Sequence, residues 1–314
     1  MPFNHSIFGF NVETDYRFRM PMAKSDGPPD LPFSCIPAPG QRTFDESNRI
    51  YATDYKNRFG ESSVLLYRDD NAEIMRFPRI ADFILRPESI TCELLDPTVE
   101  YMVEICLLGH VFGYFLERSG FSPIHGASVE VDGAAALLVA DRTGGKSTLS
   151  ASFVRAGYPL IADDISALEI REEEILCRRG YPQVKLTPEQ AKYFVGSADG
   201  FPLVHPAYEK LSVPVSEFGR IADGPAEVAR IYVLERQIEP GPVRVETIPP
   251  GEALIELIRH TFITEIIDAT DLKVPRMKRL ARIAQSVPVK RLRYPTGYES
   301  LPKVHEAVLA DLDF

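Results

Sequence analysis

An α/β fold built on a mixed sheet, preceded by a small β-rich N-terminal domain, is what this 314-residue chain predicts. Three stretches carry that expectation. The first is Leu137-Leu138-Val139-Ala140-Asp141-Arg142-Thr143-Gly144-Gly145-Lys146-Ser147-Thr148: an apolar run, a short polar loop with two glycines, then a helically spaced segment through residue 155. Strand, loop and helix in that order are the context a phosphate-binding loop requires. The second is a hairpin just upstream, residues 127–131 and 134–140 joined by Asp132-Gly133, a two-residue turn of the favoured type. The third is Tyr158-Pro159-Leu160-Ile161-Ala162, a short strand after a Gly157 helix cap, ending in Asp163-Asp164.

The residue types at these positions suit phosphate chemistry. Gly144 and Gly145 let backbone N–H groups turn inward around an anion. A helix starting near Lys146 would present its unpaired N–H groups to the same anion. Lys146 would reach the outer phosphates as a point charge, and the Ser147 hydroxyl would sit on magnesium. Two adjacent carboxylates at a strand end suit metal binding and proton abstraction. Side chains alternate along a strand, so one role each is expected of Asp163 and Asp164. The hairpin would return His125 to the mouth of the loop at Asp141. Ala140 stands where the usual motif has its first glycine.

His125-Gly126, the Gly-Lys-Ser-Thr loop and Ala162-Asp163-Asp164 together resemble the core of HPr kinase/phosphorylase, a bacterial protein serine kinase. The resemblance covers residues 120–175 and continues weakly to the C-terminus. There, Gly180-Tyr181-Pro182-Gln183-Val184-Lys185-Leu186 and Ala229-Arg230-Ile231-Tyr232-Val233-Leu234-Glu235-Arg236 look more like the HPr-kinase-like lasso peptide precursor kinases of peptide biosynthesis clusters. The resemblance implies a mixed-sheet P-loop kinase core of the HPr kinase / phosphoenolpyruvate carboxykinase type. It implies ATP and Mg²⁺ as cofactors, with residues 141–148 (Asp141, Arg142, Thr143, Gly144, Gly145, Lys146, Ser147 and Thr148) binding nucleotide. By the same resemblance Asp163 is the general base and His125 its hydrogen-bonding neighbour, while Lys146 and Ser147 hold the phosphates and magnesium; Asp164 is expected to help Ser147 hold Mg²⁺. The implied activity is serine phosphorylation of a peptide or protein, with a lasso-type precursor peptide as first choice.

Two departures shape the expectation. Ala140 and Thr143 stand where that family has glycines. A β-branched residue rarely adopts positive φ, so the loop is expected to shift its glycine to Gly144. The glycine-rich family segment with a metal-binding glutamate is missing, and residues 180–186 stand in its place. That argues against phosphorylase activity and against a true HPr kinase/phosphorylase. A small-molecule kinase and a nucleotide-binding regulatory module without transfer activity stay open beside the peptide kinase.

The remaining chain divides into residues 1–95 (small β-rich domain), 96–120 (connecting buried helix) and 121–314 (catalytic domain). A net charge of −10 disfavours nucleic acid as partner. Cys35, Cys92, Cys106 and Cys177 lack metal-ligand spacing and suit buried thiols in a reducing cytoplasm. The N-terminus shows no secretory signal, and Glu100, Glu104, His110 and Glu117 interrupt the apolar helix too often for a membrane span. A homo-oligomer stays open. In the first domain, strands are expected at 7–12, 16–20, 62–67 and 72–77, with a loop over 24–40 and a turn at Arg68-Asp69-Asp70-Asn71. Asp96-Pro97 caps a helix in which His110 reads as a core histidine. Thr187 with Gln190 forms a capping box. Residues 201–224 read as a long loop, a candidate flap over substrate, and Arg259, His260, Lys290, Arg291 and Arg293 as solvated or helix-capping charges.

Overall fold

A computed structural model describes residues 2–40, 42–69 and 71–312. The chain forms a mixed α/β structure of two compact units, residues 1–120 with 263–275, and residues 121–262 with 276–314.

The first unit is built on an eight-stranded sheet, in the order Phe3–Ile7, Phe10–Thr14, Leu31–Pro37, Ser89–Leu94, Ala81–Arg86, Ala72–Phe77, Leu65–Asp69, Arg49–Ala52. Its neighbours are antiparallel except on the two sides of Leu31–Pro37. The expected strand over 7–12 is instead a tight hairpin, because Phe8 and Gly9 turn the chain at φ 51 and 84. Residues 16–20 form no strand: Tyr16 packs edge-on against Phe18 and Phe33 without joining a ladder. The expected loop over 24–40 contains Leu31–Pro37, whose Leu31 and Phe33 are buried in the core. The 65–77 hairpin is present, but Asp70 of its turn lies outside the described residues.

Asp96 caps the following helical stretch, accepting the Thr98 N–H at 2.9 Å. The helix runs from Tyr101 to Cys106, opens into a π-turn at Leu107–Val111 around Gly109, and resumes from Phe112 to Arg118. That wider turn slips the helical register. His110, expected in the core, is consequently exposed, edge-on to Phe77. The four cysteines are free thiols; Cys35 is half-buried and the others buried. Among the described residues no helix is long and apolar enough to cross a membrane.

The second unit has a nine-stranded mixed sheet. Its centre is the twelve-residue strand Ala226–Gln237. This strand runs parallel to Ala134–Val139 on one side and to Val289–Pro295 on the other. The alternation of Ala134–Val139 divides its side chains between two cores. Ala136 and Leu138 pack with Leu149, Phe153, Val304 and Val308. Leu137 and Val139 face Leu257, Leu280 and Ile283. The sheet is therefore covered by helices on both faces, and its three parallel strands point their C-terminal ends to one rim, Ala134–Val139 stopping opposite Val233, four residues before Gln237 and Pro295, on the side where α/β sheets bind ligands.

A separate three-stranded sheet orders Gln183–Leu186, Tyr208–Pro214 and Leu203–His205. The expected 201–224 loop thus holds a hairpin, anchored by buried Leu211 and Val213.

Candidate active site

The hairpin forms as its sequence dictates. Gly126–Val131 pairs with Ala134–Val139 in register, and Asp132-Gly133 turns at φ 48 and 84. Gly126 opposes Val139, which puts His125 beside the start of the loop. The helix Lys146–Arg155 begins immediately after the loop.

The loop solves its glycine problem differently from expectation. Thr143 does adopt a left-handed backbone, φ 65, and so does Gly145, φ 99. Gly144 is not left-handed; it is required because a Cβ there would lie 2.5 Å from the Ala140 Cβ and 2.9 Å from the Asp141 carbonyl oxygen. The methyl of Ala140, standing in for a glycine, demands the missing side chain four residues later.

Lys146 is buried and folds back over the loop, donating to the carbonyls of Ala140 at 2.7 Å and Asp141 at 3.3 Å. Burial lowers its pKa, against the raising pull of Asp163 and Asp164. At the next residue along the chain, the Ser147 hydroxyl donates to Asp163 at 3.2 Å. Asp163 is only 4% exposed; burial raises its pKa, partly offset by the Lys185 N–H bond to its Oδ2 at 2.8 Å.

Asp164 turns away from its neighbour through a left-handed backbone, φ 73. Its Oδ2 takes the Lys185 ammonium at 2.5 Å, and His125 Nδ1 lies 3.1 Å from its carbonyl and 3.7 Å from its Oδ1. Burial would raise Asp164, but Lys185 and then His125 outweigh it and hold the carboxyl down at about 2. Lys185 in turn titrates above its ordinary value, because Asp164 overcomes the effect of burial. Burial lowers the pKa of His125, against the pull of Asp164.

The expected partners are therefore exchanged. Ser147 meets Asp163 rather than Asp164, and His125 meets Asp164 rather than Asp163. The separation comes from the turn at Asp164 and not from strand alternation, because the strand Leu160–Ala162 has already ended.

Several residues take part in this region in ways that their local sequence did not assign. Lys185 bridges both aspartates, one through its backbone and one through its side chain. Arg259, expected to be a solvated charge, pairs with Asp141 of the loop. His260 is buried, its pKa pushed down to about 4 by burial, and its carbonyl accepts the His125 N–H at 2.7 Å. Lys290, Arg291 and Arg293 pair with Asp311, Glu252 and Glu246. The Arg142 guanidinium of the loop lies 5.1 Å over the Tyr208 ring of the 203–214 hairpin. Gln190 closes its capping box and also donates to Thr148 at 2.6 Å.

Chemically, the rim offers a lysine, a helix start with unpaired N–H groups and convergent oxygens on Ser147 and Asp163. Such oxygens suit a hard cation like Mg²⁺, which keeps several waters and is shared with phosphate groups. Among the described residues no group of three or more His, Cys, Asp or Glu side chains could form an all-protein metal cage.

No protein-family model matches the chain, and no curated protein matches it. Among solved structures, the Hpr(Ser) kinase/phosphatase from Coxiella burnetii aligns over 60% of this chain and 95% of its own, at 14% identity and a TM-score of 0.34. At that score the likeness carries no argument about activity.

Proposed function

We propose that this protein is an ATP-dependent phosphotransferase that phosphorylates a serine hydroxyl of a peptide or protein. The observation that carries the proposal is the meeting of Lys146, Ser147 and Asp163 at the start of one helix, with Asp164 held separately beside them. Residues 141–148 are the nucleotide loop. Its backbone N–H groups and the helix start cradle the phosphates. Lys146 neutralises charge on the transferred group. Ser147 and Asp163 would hold Mg²⁺, which, when bound, offsets charge on the β- and γ-phosphates.

Asp164 is the carboxylate that receives the acceptor hydroxyl. Its side chain is 21% exposed, so an incoming serine can reach it, whereas Asp163 is closed off beside Ser147. A carboxyl with so low a pKa orients the hydroxyl more than it drives deprotonation, and phosphoryl transfer relies chiefly on positioning and charge stabilisation. His125 and Lys185 fix its orientation. This assignment reverses the roles expected of the two aspartates from the sequence. The substrate class, a ribosomal precursor peptide of the lasso type, rests on the resemblance of residues 180–186 and 229–236 to the lasso peptide precursor kinases.

Single-turnover transfer from labelled ATP to a lasso precursor peptide, HPr and free serine, measured side by side, tests the proposal. Asp164→Asn, which disturbs the Lys185 and His125 contacts that orient this side chain, should lose about 10²-fold in turnover through misplacement of the hydroxyl, with little change in nucleotide affinity. Asp163→Asn should instead raise the magnesium requirement. Transfer to none of the three acceptors by a protein that binds ATP would leave a nucleotide-binding module, and preference for free serine would make it a small-molecule kinase.

A further inference from the structure

Thr143 is β-branched yet left-handed at φ 65, a conformation such residues avoid. Something outside the loop must hold it. Its own hydroxyl reaches only the neighbouring Arg142 carbonyl, at 2.6 Å. The stronger constraint comes from Arg236, near the end of the central strand Ala226–Gln237, whose Nη2 donates to the Thr143 carbonyl at 2.6 Å. On the opposite side of the same peptide, the Gly144 N–H donates to the Asp141 carbonyl at 2.9 Å. The plane between residues 143 and 144 is thus pinned at both ends.

The arginine is itself seated by the sheet. Arg236 opposes Tyr294 in register on the parallel strand Val289–Pro295. Both reach over Gly145: a Cβ there would lie 2.7 Å from the Tyr294 hydroxyl and 3.1 Å from the Arg236 Cδ. No carboxylate pairs with Arg236 among the described residues, so its guanidinium is not drawn elsewhere.

We propose that Arg236 is the positioning residue of the 141–147 loop, holding Thr143 in the left-handed conformation that a glycine would adopt unaided. The pinned peptide turns the chain so that the N–H groups of the helix start face inward together. The proposal concerns loop geometry, and only its nucleotide measurement rests on the phosphotransferase reading.

The test is a double-mutant cycle of parent, Arg236→Ala, Thr143→Gly and the double variant, with Arg236→Gln as a milder replacement should the alanine form misfold. Amide hydrogen exchange across residues 141–148 is measured without nucleotide, and ATP dissociation constants by calorimetry. Losing Arg236 should speed exchange and weaken ATP by about tenfold when Thr143 is present, a coupling within the range for contacting residues. In the Thr143→Gly background both losses should shrink to about twofold. Equal losses in the two backgrounds, or unchanged exchange in Arg236→Ala, would overturn the proposal. Absence of ATP binding by the parent would sink the phosphotransferase reading alone, because exchange still decides the role of Arg236.

Discussion

At the scale of single residues, Gly144 shows why a motif can move its glycine. Adding one methyl there meets backbone and Cβ atoms at 2.9 and 2.5 Å, with no flexible side-chain end to yield. Gly144→Ala should therefore distort the loop, at a cost of about 1–3 kcal/mol, typical of overpacking. Calorimetry should read this as roughly tenfold or greater loss of ATP affinity; an affinity equal to the parent's would show that the loop relaxes without consequence. Asp82 carries a prediction about pH. It is fully buried with Arg76 at 3.2 Å, and burial, outweighing Arg76, raises its carboxyl from 3.8 to about 6. The folded state thus holds this proton more tightly than the unfolded chain. The resulting stabilisation is complete below the ordinary carboxylate range and is lost as pH rises through about 6. Asp82→Asn should be more stable than the parent at pH 8, by at most about 3 kcal/mol, a net figure that already contains the Arg76 attraction, and the gap should narrow towards pH 4. A variant that melts lower at pH 8 would show that the ion pair dominates.

At the scale of elements, the helix Pro188–Val195 rests on a complete capping box, with Thr187 N–H on Gln190 at 2.8 Å and Gln190 N–H on the Thr187 hydroxyl at 3.2 Å. Thr187→Ala should cost about 1 kcal/mol by urea denaturation. Gln190→Ala should cost more, since it also releases Thr148, and a smaller loss would show that the tie to Thr148 contributes nothing. This box, the Asp96 cap and the Asp132-Gly133 turn were legible because each is settled within four residues of chain. Leu31–Pro37 was not, because Pro32 and Pro37 argue against a strand until the buried Leu31 and Phe33 are seen to find a core. The 203–214 hairpin was hidden in the same way by its prolines. At the candidate site, the loop, the hairpin and the aspartate pair could be read locally. Lys185, Arg236 and Arg259 could not: they reach the site from separate elements, and only the folded sheet brings them to one rim. Even the division of the aspartates came from an unforeseen left-handed turn at Asp164 rather than from the strand period.

For the whole molecule, the decisive feature is that the first unit is discontinuous in sequence. Residues 263–275 complete it, supplying Glu265 to the Tyr51 hydroxyl and Asp271 to Arg68. A fragment ending at residue 120 should therefore be less soluble and less resistant to proteolysis than one in which 263–275 is rejoined by a flexible linker. Equal behaviour of the two would show that the late segment adds nothing to the unit. On the ribosome the same discontinuity sets an order of events. At about 5–20 residues per second, roughly 8–30 s separate synthesis of residue 120 from residue 275. During that interval the first-made domain must wait unfinished while residues 121–262 of the second emerge, so the chain's nascent life is spent with its earlier part depending on its later one.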